Sequence, residues 1–188
     1  MLWSNDPVEQ ALLSGTQLAG AAGVDPTRPE VGLYLNDGTG AKVGYYVDLD
    51  AGMTVSECRP DGSSRLRVTV RLTSTVPDPA ELPAYVTGGG AFVPAGVVRT
   101  NLAIFAPADG SVVSVSFSGS DGELPVLSQR QGNVPVALTT VSLDPGRSTE
   151  LAVELLTAKR TASAPTLRTT PGSRELVPSI DVGCAANS

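Results

Sequence analysis

Apolar and polar residues alternate along most of this chain, and that period of two predicts strands. The cleanest run is Arg65 to Thr73: Leu66, Val68, Val70 and Leu72 point one way, and Arg65, Thr69 and Arg71 the other, so one side should face water. Further strands are expected around Leu102 and Ile104, from Val113 through Val115 to Phe117, and at the edge-type segment Leu124–Pro125–Val126–Leu127. Val134–Val141, Leu151–Val153–Leu155 and Leu176–Val182 complete the set, with Lys159–Arg174 read as extended. Pro60-Asp-Gly62, Asp109-Gly110 and Asp144-Pro-Gly146 supply turns. The expected fold is an all-β, immunoglobulin-like β-sandwich of about nine strands.

One helix precedes the strands. Asp6 is placed to cap it, Pro7 suits its first position, and Glu9 can reach back in a capping box. The helix should run from about Pro7 to about Ala19, with Val8, Ala11 and Leu12 near one face. Residues 1–30 therefore read as a helical lead and linker, and 31–188 as the sandwich domain. Trp3 reads as packing.

Between lead and strands lies the most unusual stretch, Gly32 to Asp48, with three of the four tyrosines and one of two lysines. Val31, Leu33, Leu35 and then Val43, Tyr45, Val47, Leu49 all fall on odd positions, which predicts a β-hairpin closed by Gly38-Thr39-Gly40. In that register Asn36 opposes Lys42 and Leu35 opposes Val43. Tyr34, Asn36, Lys42, Tyr46 and Asp48 would then share one outward, polar-aromatic face.

Composition narrows the function classes. With 41% hydrophobic and 17% charged residues the chain is globular, and Gly 20 with Pro 15 suits short strands and tight turns. A net charge of −6, with basic residues scattered, offers no nucleic-acid footprint. There is no histidine, so Ser-His and Cys-His dyads are excluded. Cys58 and Cys184 lie 126 positions apart (184 − 58), which is neither metal nor CxxC spacing. They read either as two buried thiols or as one disulfide tying the C-terminus to the domain. No stretch reaches the about 18–20 apolar residues of a membrane-spanning helix, and Met1-Leu-Trp3 has no signal-peptide pattern. The chain is then either cytosolic or a fragment of a longer one.

Several segments carry a resemblance: Asp6-Pro-Val-Glu-Gln-Ala-Leu12, Tyr34-Leu-Asn-Asp-Gly-Thr-Gly-Ala-Lys42 with Tyr45-Tyr46, Leu82-Pro-Ala-Tyr-Val86, Arg99 leading into Ala106-Pro107, and Leu143-Asp-Pro-Gly146. In this order they are similar to the actinobacterial family called domain of unknown function 4012, departing from it at Val43-Gly44. The resemblance implies the C-terminal, extracytoplasmic portion of a cell-envelope protein, secreted or membrane-anchored through a segment outside this chain. It also implies proximity to polysaccharide assembly, and strengthens the disulfide reading. It supplies no catalytic residues.

The leading functional reading is a non-catalytic binding or scaffolding module. It would use the outward face of Tyr34, Asn36, Lys42, Tyr46 and Asp48, or the Gly88–Gly96 loop, against an envelope glycan or envelope protein. The alternative is a carboxylate-based enzyme acting on envelope glycans, drawing on Asp37, Asp48, Asp50 and Asp61, although Asn-Asp-Gly and Pro-Asp-Gly contexts favour turn roles. An isopeptide through Lys42 would require that side chain to be buried, and a calcium site at Asp37 or Asp48–Asp50 lacks the usual ligand spacing. No cofactor or metal is expected.

Overall fold

The computed structural model describes residues 4–14, 16, 23–119, 124–159, 163–170, 176–181 and 183. Among them are one N-terminal helix, α1 (Pro7–Leu13), and ten strands: β1 (Glu30–Asp37), β2 (Val47–Cys58), β3 (Ser64–Ser74), β4 (Val98–Phe105), β5 (Ser111–Ser118), β6 (Val126–Gln131), β7 (Val134–Leu143), β8 (Ser148–Leu156), β9 (Thr166–Thr169) and β10 (Ser179–Asp181). A second helical turn, α2 (Ala84–Thr87), lies in the long β3–β4 connection. The all-β expectation holds. The count is ten rather than about nine, because part of the extended Lys159–Arg174 stretch forms β9.

Two five-stranded sheets pack face to face. The first has the order β6-β7-β4-β1-β9 and the second β10-β2-β3-β8-β5. Each ends in a short parallel pairing, β1 with β9 and β2 with β10, and is otherwise antiparallel. Between them lies one core, built from Val31, Leu33, Leu102, Ile104 and Val141 of the first sheet and Met53, Leu66, Val68, Val70, Leu72, Leu151 and Val153 of the second. The alternation in β3 does what its sequence requires: all four apolar side chains are buried and Arg67 and Arg71 are outside. In β5 a bulge between Val112 and Ser114 slips the register, so Val115 and Phe117 pack on the core while Val113 faces solvent.

The hairpin between β1 and β2 does not form. Leu35 pairs with Leu102, Asn36 with Asn101 and Tyr34 with Ala103, all on β4, while Asp48 pairs with Thr73 on β3. The chain leaves the first sheet at Asp37 and enters the second at Val47. Local hydrogen bonding explains the crossing. Asp37 Oδ1 accepts from Thr39 N (3.2 Å) and Thr39 Oγ1 (2.7 Å), and Oδ2 accepts from Gly40 N (2.9 Å). Thr39 Oγ1 then accepts from Ala41 N (3.0 Å), and Lys42 N donates to Val86 O (3.0 Å). These bonds curl the backbone away from a partner strand, as Asp and Thr turn motifs do. The expected second arm, Val43–Tyr46, is instead a 3-10 turn. Its tighter winding shifts the phase: Val43 is buried as expected, Tyr45 is exposed rather than in the core, and Tyr46 packs against the core rather than facing out.

At the N-terminus, Asp6 Oδ1 caps α1 by accepting from Val8 N (2.7 Å) and Glu9 N (3.2 Å). The reciprocal half of the capping box is absent, because Ser4 intervenes: its hydroxyl donates to Glu9 Oε2 and accepts from Asp6 N. The helix ends at Leu13 with Ser14 as its cap, short of the expected Ala19, and Val8 and Leu12 are exposed. Trp3 lies outside the described residues.

Replacing Asp37 by Ala removes the acceptor of all three turn bonds. Urea denaturation should show a loss of about 1–3 kcal/mol, with Asp37→Asn, which keeps one oxygen, losing less. Equal stability of wild type and Asp37→Ala would show that the turn does not direct the crossing.

Candidate functional site

The crossing disperses the five residues expected to share a face. Tyr34 and Asn36 lie on the outer side of the first sheet, Asp48 on the outer side of the second, and Lys42 and Tyr46 in the connection between them. Tyr34 is half-buried and meets Phe105 edge to face, with ring centroids 5.4 Å apart. Burial raises its phenol above the ordinary tyrosine range and the Glu30 charge adds to this, while the hydrogen-bonded Arg168 guanidinium opposes both. Tyr34 is thus a packed residue of the sheet. Lys42 is exposed, which removes the burial an isopeptide would need.

What the fold does assemble is one end of the sandwich. The β1–β2 connection, the β3–β4 connection and the β7–β8 turn all emerge there. They are tied together: Lys42 N bonds Val86 O, a Cβ on Gly40 would touch the Phe92 ring at 3.6 Å, and Gly146 N donates to Ser74 O (3.0 Å). Gly96, at φ 82°, lets the loop close against Pro79 where any side chain would collide. On these joined loops stand Tyr45, Tyr85 and Phe92, exposed by 67%, 69% and 74%. Tyr45 also meets Tyr46 edge to face at 5.2 Å. Three large aromatics so exposed on adjoining loops are costly to leave in water. The sequence pointed to the Gly88–Gly96 loop but not to Tyr85. Its one clue was an aromatic outside any alternating run, in Leu82-Pro-Ala-Tyr85.

Two clefts are noted among the described residues. One, of about 220 Å³, opens at this end between the sheets and is lined by Leu35, Val43, Gly44, Val47, Leu49 and Val98, with Asp37, Arg99, Thr100 and Thr170 also contributing. The other, of about 360 Å³, lies on the outer side of the second sheet. There Asp50, Arg71 and Glu150 stand directly opposite one another across β2, β3 and β8. Of the four aspartates considered for catalysis, Asp37 lines the first cleft and Asp50 the second, so neither cleft brings two of them together. Among the described residues no three His, Cys, Asp or Glu side chains converge as a metal site.

The opposite end carries a charged cluster. Glu57 bonds Arg59 and Arg65, each at 3.1 Å, and Asp61 accepts from Ser63 Oγ (2.6 Å) and Ser63 N (3.0 Å) with Lys159 at 3.9 Å. Cys58 is exposed beside this cluster at the end of β2, and Cys184 lies outside the described residues.

No family model matches the chain, and no curated protein matches it.

The Arg59 and then the Arg65 hydrogen bonds hold Glu57 below its ordinary 4.5, and the Ser63 hydroxyl and amide hold Asp61 below its ordinary 3.8. The unfolded chain therefore takes up these protons first as pH falls. Their stabilisation is complete above the ordinary carboxylate values and is lost as pH drops through the lower folded values. Thermal melts between about pH 6 and pH 3 should show Tm falling in acid, and Glu57→Gln should reduce that slope. An unchanged slope would assign the acid sensitivity elsewhere.

Proposed function

We propose that this chain is a non-catalytic module of an extracytoplasmic cell-envelope protein, holding an envelope glycan or envelope protein partner at its aromatic end. The observation that carries the reading is the set Tyr45, Tyr85 and Phe92, exposed on loops that are bonded to one another and mounted on a rigid sandwich. Aromatic faces stack on sugar rings and on apolar partner surfaces, and scaffold-borne loops are where binding sites concentrate. The segments resembling domain of unknown function 4012 support the envelope context, and two of them, Tyr34–Lys42 with Tyr45-Tyr46 and Leu82–Val86, lead into or form this end. The alternative, a carboxylate enzyme acting on envelope glycans, has less support because Asp37 is bound into its turn.

Two finer readings belong to the same proposal. The sandwich is immunoglobulin-like, supported by β1 and β4 neighbouring each other in one sheet while the chain between them builds β2 and β3 in the other. Cys58 and Cys184 form a disulfide, as expected of an oxidising compartment. Its support is the parallel register of β10 on β2: Asp181 sits beside Thr54, and a Cβ on Gly183 would lie 3.7 Å from Val55 O, so the chain is heading towards Cys58.

Pulldown on purified actinobacterial cell-wall polysaccharide and on envelope extract should retain the wild type. Tyr45→Ala/Tyr85→Ala/Phe92→Ala should lose about tenfold or more in affinity, in line with aromatic hot spots. Equal retention removes the aromatic end from the proposal. For the cysteines, resistance to alkylation until reduction is expected; two labels on the unreduced protein would overturn the pairing.

A further inference from the structure

Among the described residues the two sheets end in four edge strands, and three of them are protected against pairing with another chain. We propose that the fourth, β5, is a self-association edge: a second copy of this chain lays its own β5 antiparallel against it across a twofold axis.

An edge strand presents a row of unpaired backbone N–H and C=O groups, and proteins blunt such rows with charges, proline or shortness. β9 has four residues, Arg168 among them, and β10 has three, with Pro178 ahead and Asp181 at its end. β6 follows Pro125 and carries Arg130. β5 has none of these devices. Its eight residues, Ser-Val-Val-Ser-Val-Ser-Phe-Ser, hold no charge and no proline. Its bulge, between Val112 and Ser114, sits towards one end and leaves Ser114–Ser118 in unbroken register with β8. Among the described residues no strand lies on the other side of β5. Gly119 and Leu124, which lead from β5 to β6 of the other sheet, are five peptide links apart, a reach of at most about 18 Å. Crossing between packed sheets takes about 10 Å of that reach, and β5 alone is about 26 Å long.

The pattern on β5 selects a second copy as the occupant. Val115 and Phe117 pack on the core yet stay half-buried, whereas Val153 and Leu151, opposite them on β8, are fully buried. The core therefore lacks a cover at this edge. Ser114, Ser116 and Ser118 alternate with the two apolar residues and are exposed. In an antiparallel pair centred on Ser116, Val115 meets the second copy's Phe117 on the core side, and serine meets serine on the outer side. This register pairs all five regular residues and keeps apolar against apolar, and a twofold axis supplies it by symmetry. Charge does not oppose it. The chain carries −6, but Glu150 and Glu154 on β8 would stand three strand spacings from the second copy's, about 14 Å, beyond the screening length of about 8 Å. Ser118 lies towards the aromatic end of the sandwich, beside Glu150 near the start of β8, so antiparallel pairing turns the two aromatic ends in opposite directions.

Sedimentation equilibrium of the chain from about 5 to about 500 µM should show a monomer–dimer equilibrium, with β5 amides exchanging more slowly as the dimer forms. Ser116→Lys sets two like charges opposite each other on the axis and should weaken the dimer about tenfold or more, while the exposed position leaves the monomer folded. Ser128→Lys, on the β6 edge, should leave dimerisation unchanged. Cysteine placement reads the register: Ser116→Cys alone should form an interchain disulfide, whereas Ser114→Cys should do so only when mixed with Ser118→Cys. A chain that stays monomeric across that range, or a dimer untouched by Ser116→Lys, would overturn the inference. Monomers whose β5 amides are protected only by envelope extract would assign the edge to a foreign strand and overturn it equally. The inference does not rest on the glycan reading: the aromatic triple variant leaves β5 intact and should dimerise as the wild type does, so the two can fail separately.

Discussion

The Asp37 carboxylate decides where the chain goes after its first strand. By accepting three bonds from Thr39 and Gly40 it folds the backbone into a compact turn at the one place where a hairpin was open to it. Thr39 and the Lys42–Val86 bond extend that turn, and the 3-10 segment Val43–Tyr46 delivers the chain to the opposite sheet. The rest of the architecture follows. β1 is left to pair with β4 and β9, β2 is free to pair with β3 and β10, and the inter-sheet cleft opens between the two crossing points.

Legibility of the fold in the sequence depended on how far a residue's neighbours are set by local pattern. β3 was legible in full because strict alternation at nine positions fixes both the strand and its buried face, whatever its partners. The odd positions of the two arms were expected to turn inward; Val31, Leu33 and Val43 are buried, whereas Tyr45, in the 3-10 turn, is exposed. The pattern could not fix the sheet. Odd residues on two arms face a common core whether the arms are neighbours or lie on opposite sheets. The tie was broken by side-chain bonds from Asp37 and Thr39, which compete with the ladder and have no periodicity to read. The short strand β9 escaped notice for a related reason. Its four residues, Thr166–Thr169, include no repeating apolar face, and pairing with β1 alone defines them.

The candidate site was legible only in part. The outward face composed of Tyr34, Asn36, Lys42, Tyr46 and Asp48 required the hairpin, so it vanished with it; Tyr34 belongs with Phe105 and Arg168, and Asp48 with β3. The 3-10 turn exchanged the two neighbouring tyrosines, bringing Tyr45 out and Tyr46 in. The Gly88–Gly96 loop was recognisable as a long, glycine-rich connection. Its approach to Gly40, where an added Cβ would lie 3.6 Å from the Phe92 ring, is a tertiary fact, as is the Lys42–Val86 backbone bond just before the loop.

The two ends of the sandwich differ in how their polar groups are used, and this difference argues for placing function at one of them. Away from the aromatic end several charged groups are paired: Glu57 with Arg59 and Arg65, and Asp61 with Ser63 and Lys159. On the outer face of the second sheet Arg67 likewise bonds Glu154 at 3.1 Å. Such pairs add little stability at a solvated surface, but they leave few groups with unmet capacity. Towards the aromatic end the balance reverses. Tyr85 and Phe92 stand in water, Arg99 makes no ion pair among the described residues, and Leu35, Val47 and Leu49 are only half-buried. A folded chain gains nothing in its own stability from apolar groups in water beside an unmatched cation. Their concentration where three connections meet is what a binding surface requires, and it is the arrangement that the Asp37 turn creates.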